Sequence, residues 1–448
     1  MLFESGEKKI AKLGLGSPAA SGAQIEDATA LKLRIHQRLL EVLNLSLLDK
    51  ATRDALRPEV RSVIGQFLIQ EKHLLSVAQT EALLEDVLDE LLGLGPLEAL
   101  LKDDTVNDIL INTHNTVYIE RAGRLEKTEV RFLDTRHLLR IVNKIVSAVG
   151  RRIDESQPMV DARLADGSRI NAIIPPLAVD GPLVSIRKFA RQPIHLPRLI
   201  ELGTITEEMA KLVQAIVRCR RSILISGGTG SGKTTFLNAL SAFIDHRERV
   251  ITIEDSAELQ LQQPHVGRLE TRPPNIEGSG EVTPRDLVRN ALRMRPDRII
   301  VGEVRSGEAF DMLQAMNTGH EGCMTTVHAN SPRDAISRVE QMIGMAGLEI
   351  SPLSIRRQIA SAINVVVQLE RMDDGVRRAV SVSEIVGMEG DVIVSQEIFR
   401  FRRLGHGPDG KVMGVFEATG VRPKFLEQVA ARGIEFAPAM FAPGRRSI

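Results

Sequence analysis

Residues 225–235 read ISGGTGSGKTT, a glycine-rich run between an apolar segment at 222–226 and the helix-compatible segment FLNALSAFI. Within it, residues 227–234 match the pattern G-x-x-x-x-G-K-[ST], which forms a phosphate-binding loop when a strand precedes it and a helix follows. The glycines let successive backbone N–H groups turn toward phosphate, and the helix adds the positive end of its dipole. Because both flanks fit, a glycine-rich turn that matches by chance is disfavoured. The sequence therefore predicts a nucleotide site in an α/β domain.

The loop predicts distinct roles for its residues. Lys233 would reach the outer phosphates of a triphosphate, and the Thr234 hydroxyl would ligate Mg²⁺. ATP and Mg²⁺ are therefore the expected cofactors. The expected phosphate-binding residues are Gly227, Gly228, Thr229, Gly230, Ser231, Gly232, Lys233, Thr234 and Thr235.

The composition indicates several domains and no integral membrane segment. A chain of 448 residues exceeds one ordinary core. Lys+Arg and Asp+Glu both number 58, with no Trp and one Tyr, so direct nucleic-acid binding is not expected. No apolar segment approaches the roughly 18–20 residues that span a bilayer, and the N-terminus lacks the apolar centre of a signal peptide. We expect a cytoplasmic protein, with membrane association only peripheral or through partners. Cys219 and Cys323 fit no metal-ligand spacing, which predicts buried, reduced thiols.

Periodicity divides the chain into segments. Apolar residues at helical spacing predict about three helices before residue 92, including a run at 31–48. Short alternating segments and one helix at 136–149 predict a small α+β domain, and a Pro-rich stretch leads out of it. After about residue 370 no further chemical motif stands out, and residues 397–425 predict hairpin-forming strands and a short terminal helix. The predicted limits are 1–28 for a flexible tail, 29–92 for a helical bundle, 93–190 for the α+β domain, 191–203 for a linker and 204–448 for the α/β domain.

A second strand candidate, at 298–301, is followed by Gly302 and Glu303. An apolar strand that ends in an acid is how a P-loop protein places a carboxylate beside Mg²⁺ and the attacking water. Many such proteins have Asp where this chain has Gly302, so Glu303 alone would carry the acid and join Thr234 as a metal ligand. On pattern alone, a Glu at a strand end is often only a solvated loop residue.

Two more strand candidates end in polar residues. The strand at 250–254 leads into an acidic cluster that contains Glu258, and this cluster could equally be an acidic helix start. The strand at 324–328 ends in His328. A lone His is more often structural than catalytic, but its place after a further strand of a P-loop sheet makes it a candidate γ-phosphate sensor.

Along the chain, the phosphate loop is followed by the acidic cluster that contains Glu258, then by the strand before Glu303 and then by the strand that ends in His328. In this order and at these spacings, the four elements resemble the secretion ATPases of type II, type IV pilus and type IV secretion systems. The residues within and around these motifs are more similar to one branch, the CpaF/TadA-type motors of Tad (Flp) pilus assembly. The similarity extends from about residue 90 to 370. Within it, residues 305–308 read Arg-Ser-Gly-Glu where Arg-Gly-Gly-Glu is usual, so Ser306 is a departure from the family pattern. The stretches that carry it are GLGPLEALLKDDTVNDILIN, DARLADGSRINAIIPPLAVDGPLVSIRKF, RPDRIIVGEVRSGEAFDMLQAMNTGHEG and TTVHANSPRDAISRVE.

The resemblance implies a RecA-like ATPase domain, preceded by a smaller domain that clamps the nucleotide from the other side. It implies that Arg169 and Arg187 of the smaller domain reach the triphosphate; without it, each would be read as half of a surface ion pair. Guanidinium suits this role because it is a fork-shaped phosphate ligand that stays charged. Glu303 would be the carboxylate near Mg²⁺ and water, and Glu258 a second candidate to orient or activate that water. The choice of general base between them stays open.

The resemblance also implies a homohexamer at the cytoplasmic face of the inner membrane. Such a ring acts on a membrane platform protein, and through it on pilin, to assemble a pilus. The choice between extension alone and both extension and retraction stays open. A type IV secretion or conjugation-type transport motor shares the four motifs and is the alternative enzyme. A nucleotide-binding scaffold without turnover is the alternative of another class.

Overall fold

The computed structural model describes residues 53–70, 75–121, 123–164, 166–189, 194–274 and 278–446. The chain divides into two compact units, Met1–Lys188 and Phe189–Ile448. The predicted tail at 1–28 and the helical run at 31–48 lie outside the described residues, so both stay predictions. Within the described residues, no helix is both long and apolar enough to span a bilayer.

The first unit begins with a helical pair, α1 (Arg53–Gln70) and α2 (Val77–Leu92). Val60 and Ile64 of α1 share one apolar cluster with Leu84 of α2, as the helical spacing predicts. Ser76 begins α2 with a capping box, so the first backbone N–H groups of the helix are satisfied.

The rest of the first unit is an antiparallel sheet with one long helix. The strands run in the order β3-β2-β1-β6-β5-β4, and every neighbouring pair is antiparallel. Buried residues of the long helix and of the strands form one core. The elements are α3 (Leu97–Lys102), β1 (Val106–Thr113), β2 (Thr116–Arg121), β3 (Arg124–Lys127), α4 (Thr135–Ala148), β4 (Met159–Arg163), β5 (Arg169–Ile173) and β6 (Leu183–Arg187).

The second unit is built on a ten-stranded mixed sheet. Its order is β16-β15-β14-β13-β12-β7-β11-β10-β8-β9. The pairs from β12 to β9 are parallel, and those from β12 to β16 are antiparallel. The strands are β7 (Ile223–Gly227), β8 (Val250–Glu254), β9 (Val266–Glu270), β10 (Arg298–Val301), β11 (Met324–Val327), β12 (Val365–Arg371), β13 (Arg377–Glu389), β14 (Val392–His406), β15 (Val412–Ala418) and β16 (Gly444–Arg446).

Helices connect the parallel strands and cover them. Every residue of β7, β8, β10 and β11 is buried, as expected for parallel strands covered on both faces. The helices are α5 (Leu196–Glu201), α6 (Glu207–Arg218), α7 (Lys233–Ser241), α8 (Pro284–Ala291), α9 (Glu308–Asn317), α10 (Pro332–Gly344), α11 (Pro352–Ala362) and α12 (Leu426–Ala430).

The predicted α/β class is confirmed, and all four strand candidates of the second unit are strands within a residue of the predicted bounds. The C-terminal hairpin strands and short helix are also present, as β14, β15 and α12. The predicted domain limits stay predictions. One difference lies in the segment 191–203, where the structure has a helix, α5. Leu196 and Leu199 of this helix are buried in the core of the second unit. This part of the predicted linker therefore packs as a helix of the second unit.

Candidate functional site

The phosphate loop lies at the carboxyl edge of the parallel strands, between β7 and α7. Gly230 and Gly232 have φ of 70° and 91°, in the left-handed region that glycine adopts without strain. Gly227 has a different requirement, because a Cβ there would lie 2.5 Å from the Ser231 Oγ. The Ser231 hydroxyl itself donates to the Gly228 carbonyl at 2.9 Å. These contacts hold the loop in a tight turn.

Lys233 begins α7 with its ammonium inside the loop. The side chain is buried, and its Nζ donates to the carbonyls of Gly227 and Gly228, each at 2.9 Å. Burial lowers the pKa of Lys233, while the charge of Glu303 opposes that shift. The ammonium therefore sits where such loops hold the outer phosphates of a nucleotide.

Glu303 joins the loop to the neighbouring strands. Its Oε1 lies 3.0 Å from the His328 Nε2, and that same nitrogen lies 3.3 Å from the Lys233 Nζ. Its Oε2 accepts a hydrogen bond of 2.6 Å from Arg305, which raises the pKa of that guanidinium. Burial lowers the pKa of His328, as does the neighbouring Lys233. The structure thus brings the loop lysine together with two residues that the sequence placed at or just after the ends of two other strands.

Arg305 extends this cluster toward the acidic segment. Its Nη1 donates to the Asp255 Oδ2 at 3.0 Å, and the charge of Glu258 also acts on it. From the sequence, Arg305 was notable only as the first residue of the segment Arg305-Ser306-Gly307-Glu308. In the structure it connects Glu303 with the acidic cluster, a role that becomes visible only once β8 and β10 are known to be neighbours.

Glu254 is a second residue that the sequence analysis did not single out. It is buried, and its Oε2 accepts hydrogen bonds from the backbone N–H groups of Glu258 (2.7 Å) and Leu259 (2.8 Å). Its Oε1 is buried with no hydrogen-bond partner among the described residues. Burial raises the pKa of this carboxyl. A Cβ at Gly302 would lie 2.9 Å from the Glu254 Cγ, so the glycine there leaves room for Glu254.

The predicted Mg²⁺ site stays a prediction. Among the described residues, no group of three or more His, Cys, Asp or Glu side chains could hold a metal. Mg²⁺ is usually bound by one or two protein ligands together with phosphate oxygens and water. The predicted ligands are Thr234, in the first turn of α7, and Glu303, whose carboxylate lies at the loop lysine through His328.

The two predicted arginines of the first unit lie side by side. Arg163, Arg169 and Arg187 are direct partners across β4, β5 and β6, and we call them the arginine row. Arg187 Nε lies 3.3 Å from the Asp108 Oδ1, Arg169 Nη2 lies 3.9 Å from the Asp161 Oδ1, and Arg163 Nε donates to the Gly167 carbonyl. Both predicted residues do form the ion pairs that a purely structural role would give them. Arg163 was not predicted, although it stands six residues before Arg169; in the structure both lie in the hairpin of β4 and β5.

The hairpin of β12 and β13 also reaches the phosphate loop, although no chemical motif was expected in residues after 370. Arg377 Nε donates to the Gly230 carbonyl at 2.8 Å. The only sequence signal is that Arg371 and Arg377 flank a turn, Met-Asp-Asp-Gly-Val.

With this geometry in place, comparison with known proteins gives the family. Residues 90–401 match the family described as Type II/IV secretion system protein. The chain belongs to this family. A relative from Mycobacterium tuberculosis named "Putative conjugal transfer protein" is 40% identical over 309 residues, 68% of this chain and 87% of the relative. The conjugal transfer protein TrbB of Rhizobium radiobacter is 33% identical and spans 65% of this chain and 86% of the relative.

A solved structure of the family is also similar. The VirB11 ATPase of the Brucella suis type IV secretion system, in complex with sulphate, is 30% identical to this secretion-family chain. The match covers 64% of this chain and 91% of VirB11, with a TM-score of 0.35. Both curated relatives are named for conjugal transfer.

Proposed function

We propose that the protein is an ATPase that hydrolyses ATP to drive transport or assembly at a membrane. The observation that carries this proposal is the contact chain from Lys233 through His328 to Glu303, with separations of 3.3 and 3.0 Å. A loop that only bound nucleotide would not need a carboxylate and an imidazole at the ammonium of its lysine.

The chain's own residues divide the work of hydrolysis. The loop amides and Lys233 hold the phosphates and stabilise the charge that develops on them. Glu303, fixed in position by Arg305 and His328, orients the attacking water. When bound, Mg²⁺ neutralises phosphate charge beside Thr234 and Glu303. His328 contacts both Lys233 and Glu303, so it is placed to respond when the outer phosphate leaves.

Glu258 is the second candidate for activating the water. Its backbone N–H is held by Glu254, and its charge interacts with Arg305. Glu303→Gln and Glu258→Gln remove one candidate base each while keeping its shape. The general base is the residue whose amide variant retains ATP binding but loses the chemical step, measured as phosphate release in a single turnover.

We also propose that the arginine row supplies guanidinium groups to the triphosphate. Three like charges on adjacent strands destabilise a sheet unless anions offset them. Two carboxylates partly do so, at 3.3 Å from Arg187 and 3.9 Å from Arg169. A triphosphate would add negative charge beside the arginine row. Loss of the γ-phosphate would then release this contact and let the smaller domain move.

For the biological role, we propose a homohexameric motor at the cytoplasmic face of the inner membrane. It would act on a platform protein to assemble a Tad/Flp pilus, and reversal of the same action would retract it. The motifs quoted above favour the Tad branch. The conjugal-transfer names of the relatives favour the second candidate, a type IV secretion or conjugation motor.

Phosphate release tests the enzymatic proposal. We expect Lys233→Ala to abolish ATP hydrolysis by the full-length protein, because the loop loses the ammonium that would hold the outer phosphates. Lys211→Ala is the matched control, since Lys211 is an exposed lysine of α6 paired at 3.5 Å with Glu207. Equal phosphate release from wild type and Lys233→Ala would contradict ATP hydrolysis at this site and favour the nucleotide-binding scaffold without turnover.

A strain that carries only the Lys233→Ala protein separates the two biological roles. Loss of surface pili with normal DNA transfer supports the pilus motor. Loss of DNA transfer with normal piliation supports the conjugation motor and rejects the pilus assignment.

A further inference from the structure

Two arginines stand beside the phosphate loop on the side away from Glu303. Arg371 is the last residue of β12, Arg377 is the first of β13, and they are direct partners across the hairpin. We call them the arginine pair. A Cβ added to Gly230 would lie 3.4 Å from the Arg371 Nη1, and one added to Gly232 would lie 3.2 Å from the Arg377 Cδ.

The strand order gives the arginine pair a defined place in the site. β12 is the parallel neighbour of β7, and Leu369 pairs with Gly227 at the start of the loop. Glu303 and His328 follow β10 and β11, on the other side of β7. In open α/β sheets, ligands bind outside the carboxyl ends of the strands. If the γ-phosphate faces Glu303 and His328, the rest of the nucleotide extends toward β12 and the arginine pair.

The arginine pair places two like charges opposite each other beside the phosphate loop. Like charges directly opposite each other destabilise an antiparallel pair of strands. The two acids of the turn make contacts of their own: Asp373 is 3.3 Å from His406 and also pairs with Arg403, while Asp374 accepts from Val412 N at 2.8 Å. Guanidinium is a strong phosphate ligand, so a phosphate bound at the loop would have two groups suited to hold it.

The hairpin is also anchored, so the arginine pair is held in place. Asp374 additionally accepts from the Val376 N–H at 3.0 Å, which closes the turn. Arg378, next to Arg377, lies over the ring of Phe401 at 4.9 Å and 3.8 Å from Asp374. These contacts fasten the hairpin to β14 and β15 and leave Arg377 at the loop.

We propose that Arg371 and Arg377 bind the nucleotide through the phosphates that ATP and ADP share. This inference rests on the proposed nucleotide site and adds residues to it. Arg377 would exchange the neutral Gly230 carbonyl for a phosphate oxygen, a stronger, charge-assisted acceptor. The arginine pair therefore sets affinity for both nucleotides rather than discrimination between them.

Equilibrium binding of a fluorescent ADP and of a non-hydrolysable fluorescent ATP analogue to the full-length protein tests this. We expect Arg377→Ala and Arg371→Ala each to raise both dissociation constants by about tenfold, as loss of one charge-assisted hydrogen bond does. Arg377→Lys should recover only part of the loss, since lysine keeps the charge without the fork. Arg400→Ala is the control, because Arg400 lies on the same sheet and pairs with Glu417 at 3.1 Å.

Two results would overturn the inference. One is unchanged ADP binding by the Arg371→Ala/Arg377→Ala double variant; the other is weaker binding of the ATP analogue alone, which would place the arginine pair at the γ-phosphate. Arg377→Gln, which keeps most of the side-chain volume, replaces Arg377→Ala if thermal unfolding shows that the alanine variant is not folded. Failure of the proposed function has a different signature, in which wild type and Lys233→Ala both fail to bind either nucleotide.

Discussion

Arg298 shows how a single buried charge can support the site without taking part in its chemistry. The side chain is fully buried at the start of β10, and its Nε donates to the Glu248 Oε2 at 2.5 Å. Its Nη2 and Nη1 donate to the carbonyls of Val217 (2.8 Å) and Gly322 (3.3 Å). The guanidinium thus joins three segments at the edge of the sheet opposite the phosphate loop.

Arg298→Met should therefore destabilise the protein by about 3 kcal/mol, the lower end for a broken buried ion pair, because Glu248 stays buried and is left with the partly exposed Arg220, 3.3 Å away, as its partner. Urea unfolding followed by circular dichroism measures the loss. Arg400→Met is the comparison, since its pair with Glu417 is half exposed and should contribute only about 0–1 kcal/mol. If the double variant Arg298→Met/Glu248→Met is as unstable as Arg298→Met alone, the carboxylate left without Arg298 is not the cause.

The two thiols give a second prediction about single residues. Cys323 is fully buried and Cys219 nearly so, and both are free, as the sequence predicted. Burial raises the pKa of Cys323 to about 11, so almost no thiolate is present at pH 8. We expect no rapid reaction of the native protein with a disulfide reagent at pH 8, and reaction of both thiols in denaturant. Rapid loss of one thiol equivalent in native buffer would contradict this burial.

How far the sequence predicts a residue's role depends on whether that role is local. Lys233 and Thr234 sit in one continuous pattern whose geometry the loop itself imposes, so spacing alone indicates their roles. The places of Arg305 and Glu254 depend on β8 and β10 being neighbours. Those of Arg371 and Arg377 depend on β12 pairing with β7, more than 130 positions away along the chain. Nothing in the local sequence encodes such pairings.

Among the elements, β10 and the residue that follows it constrain the site most tightly. Gly302 donates its N–H to the Ile253 carbonyl at 2.8 Å, and a Cβ on it would lie 2.9 Å from the Glu254 Cγ. The two strand ends therefore approach each other closely only because one of them ends in glycine. From the sequence, Gly302 was notable only because many P-loop proteins have Asp at this position. In the structure, the lack of a side chain on Gly302 leaves the space that the Glu254 side chain fills.

Gly302→Ala should cost about 1–3 kcal/mol of stability through overpacking. It should also reduce ATP hydrolysis, because Glu254 must shift and Glu303 follows Gly302 directly. Thermal unfolding and phosphate release measure the two effects. Gly344→Ala is the matched control: this residue ends α10, a Cβ there meets nothing within 4 Å, and a gain of up to about 1 kcal/mol is expected. Equal stability of the two variants would show that Glu254 has room to move.

Element types were predictable where the pattern is long and buried. The parallel strands read as apolar runs because both of their faces are covered, and α4 has a continuous apolar stripe. Helix α5 was not predicted, because its six residues are too few for a periodic pattern and contain a proline at the start. Strand order has no local signal, so the positions of the antiparallel strands beside β12 could come only from the structure.

At the scale of the whole molecule, two groups of arginines act on two parts of one nucleotide in our proposals. The arginine pair belongs to the unit that carries the phosphate loop, whereas the arginine row lies on the other unit. Contacts made by the arginine pair are expected for ATP and ADP alike. Contacts made by the arginine row are expected to require the γ-phosphate, which is what would couple hydrolysis to movement of one unit against the other.

Arg187→Ala therefore has an expected signature that differs from that of Arg377→Ala. We expect about tenfold or greater loss of kcat/KM for ATP, because one charge-assisted hydrogen bond to the transferring phosphate is lost, while ADP affinity stays at the wild-type value. Arg124→Ala is the control, since this exposed arginine lies on β3 at the opposite edge of the same sheet. An Arg187→Ala variant that weakens ADP and ATP equally would show that the row reads the shared phosphates. Unchanged hydrolysis would show instead that the ion pair between Arg187 and Asp108 is purely structural. Residues other than Arg187 would then have to couple hydrolysis to movement of the units.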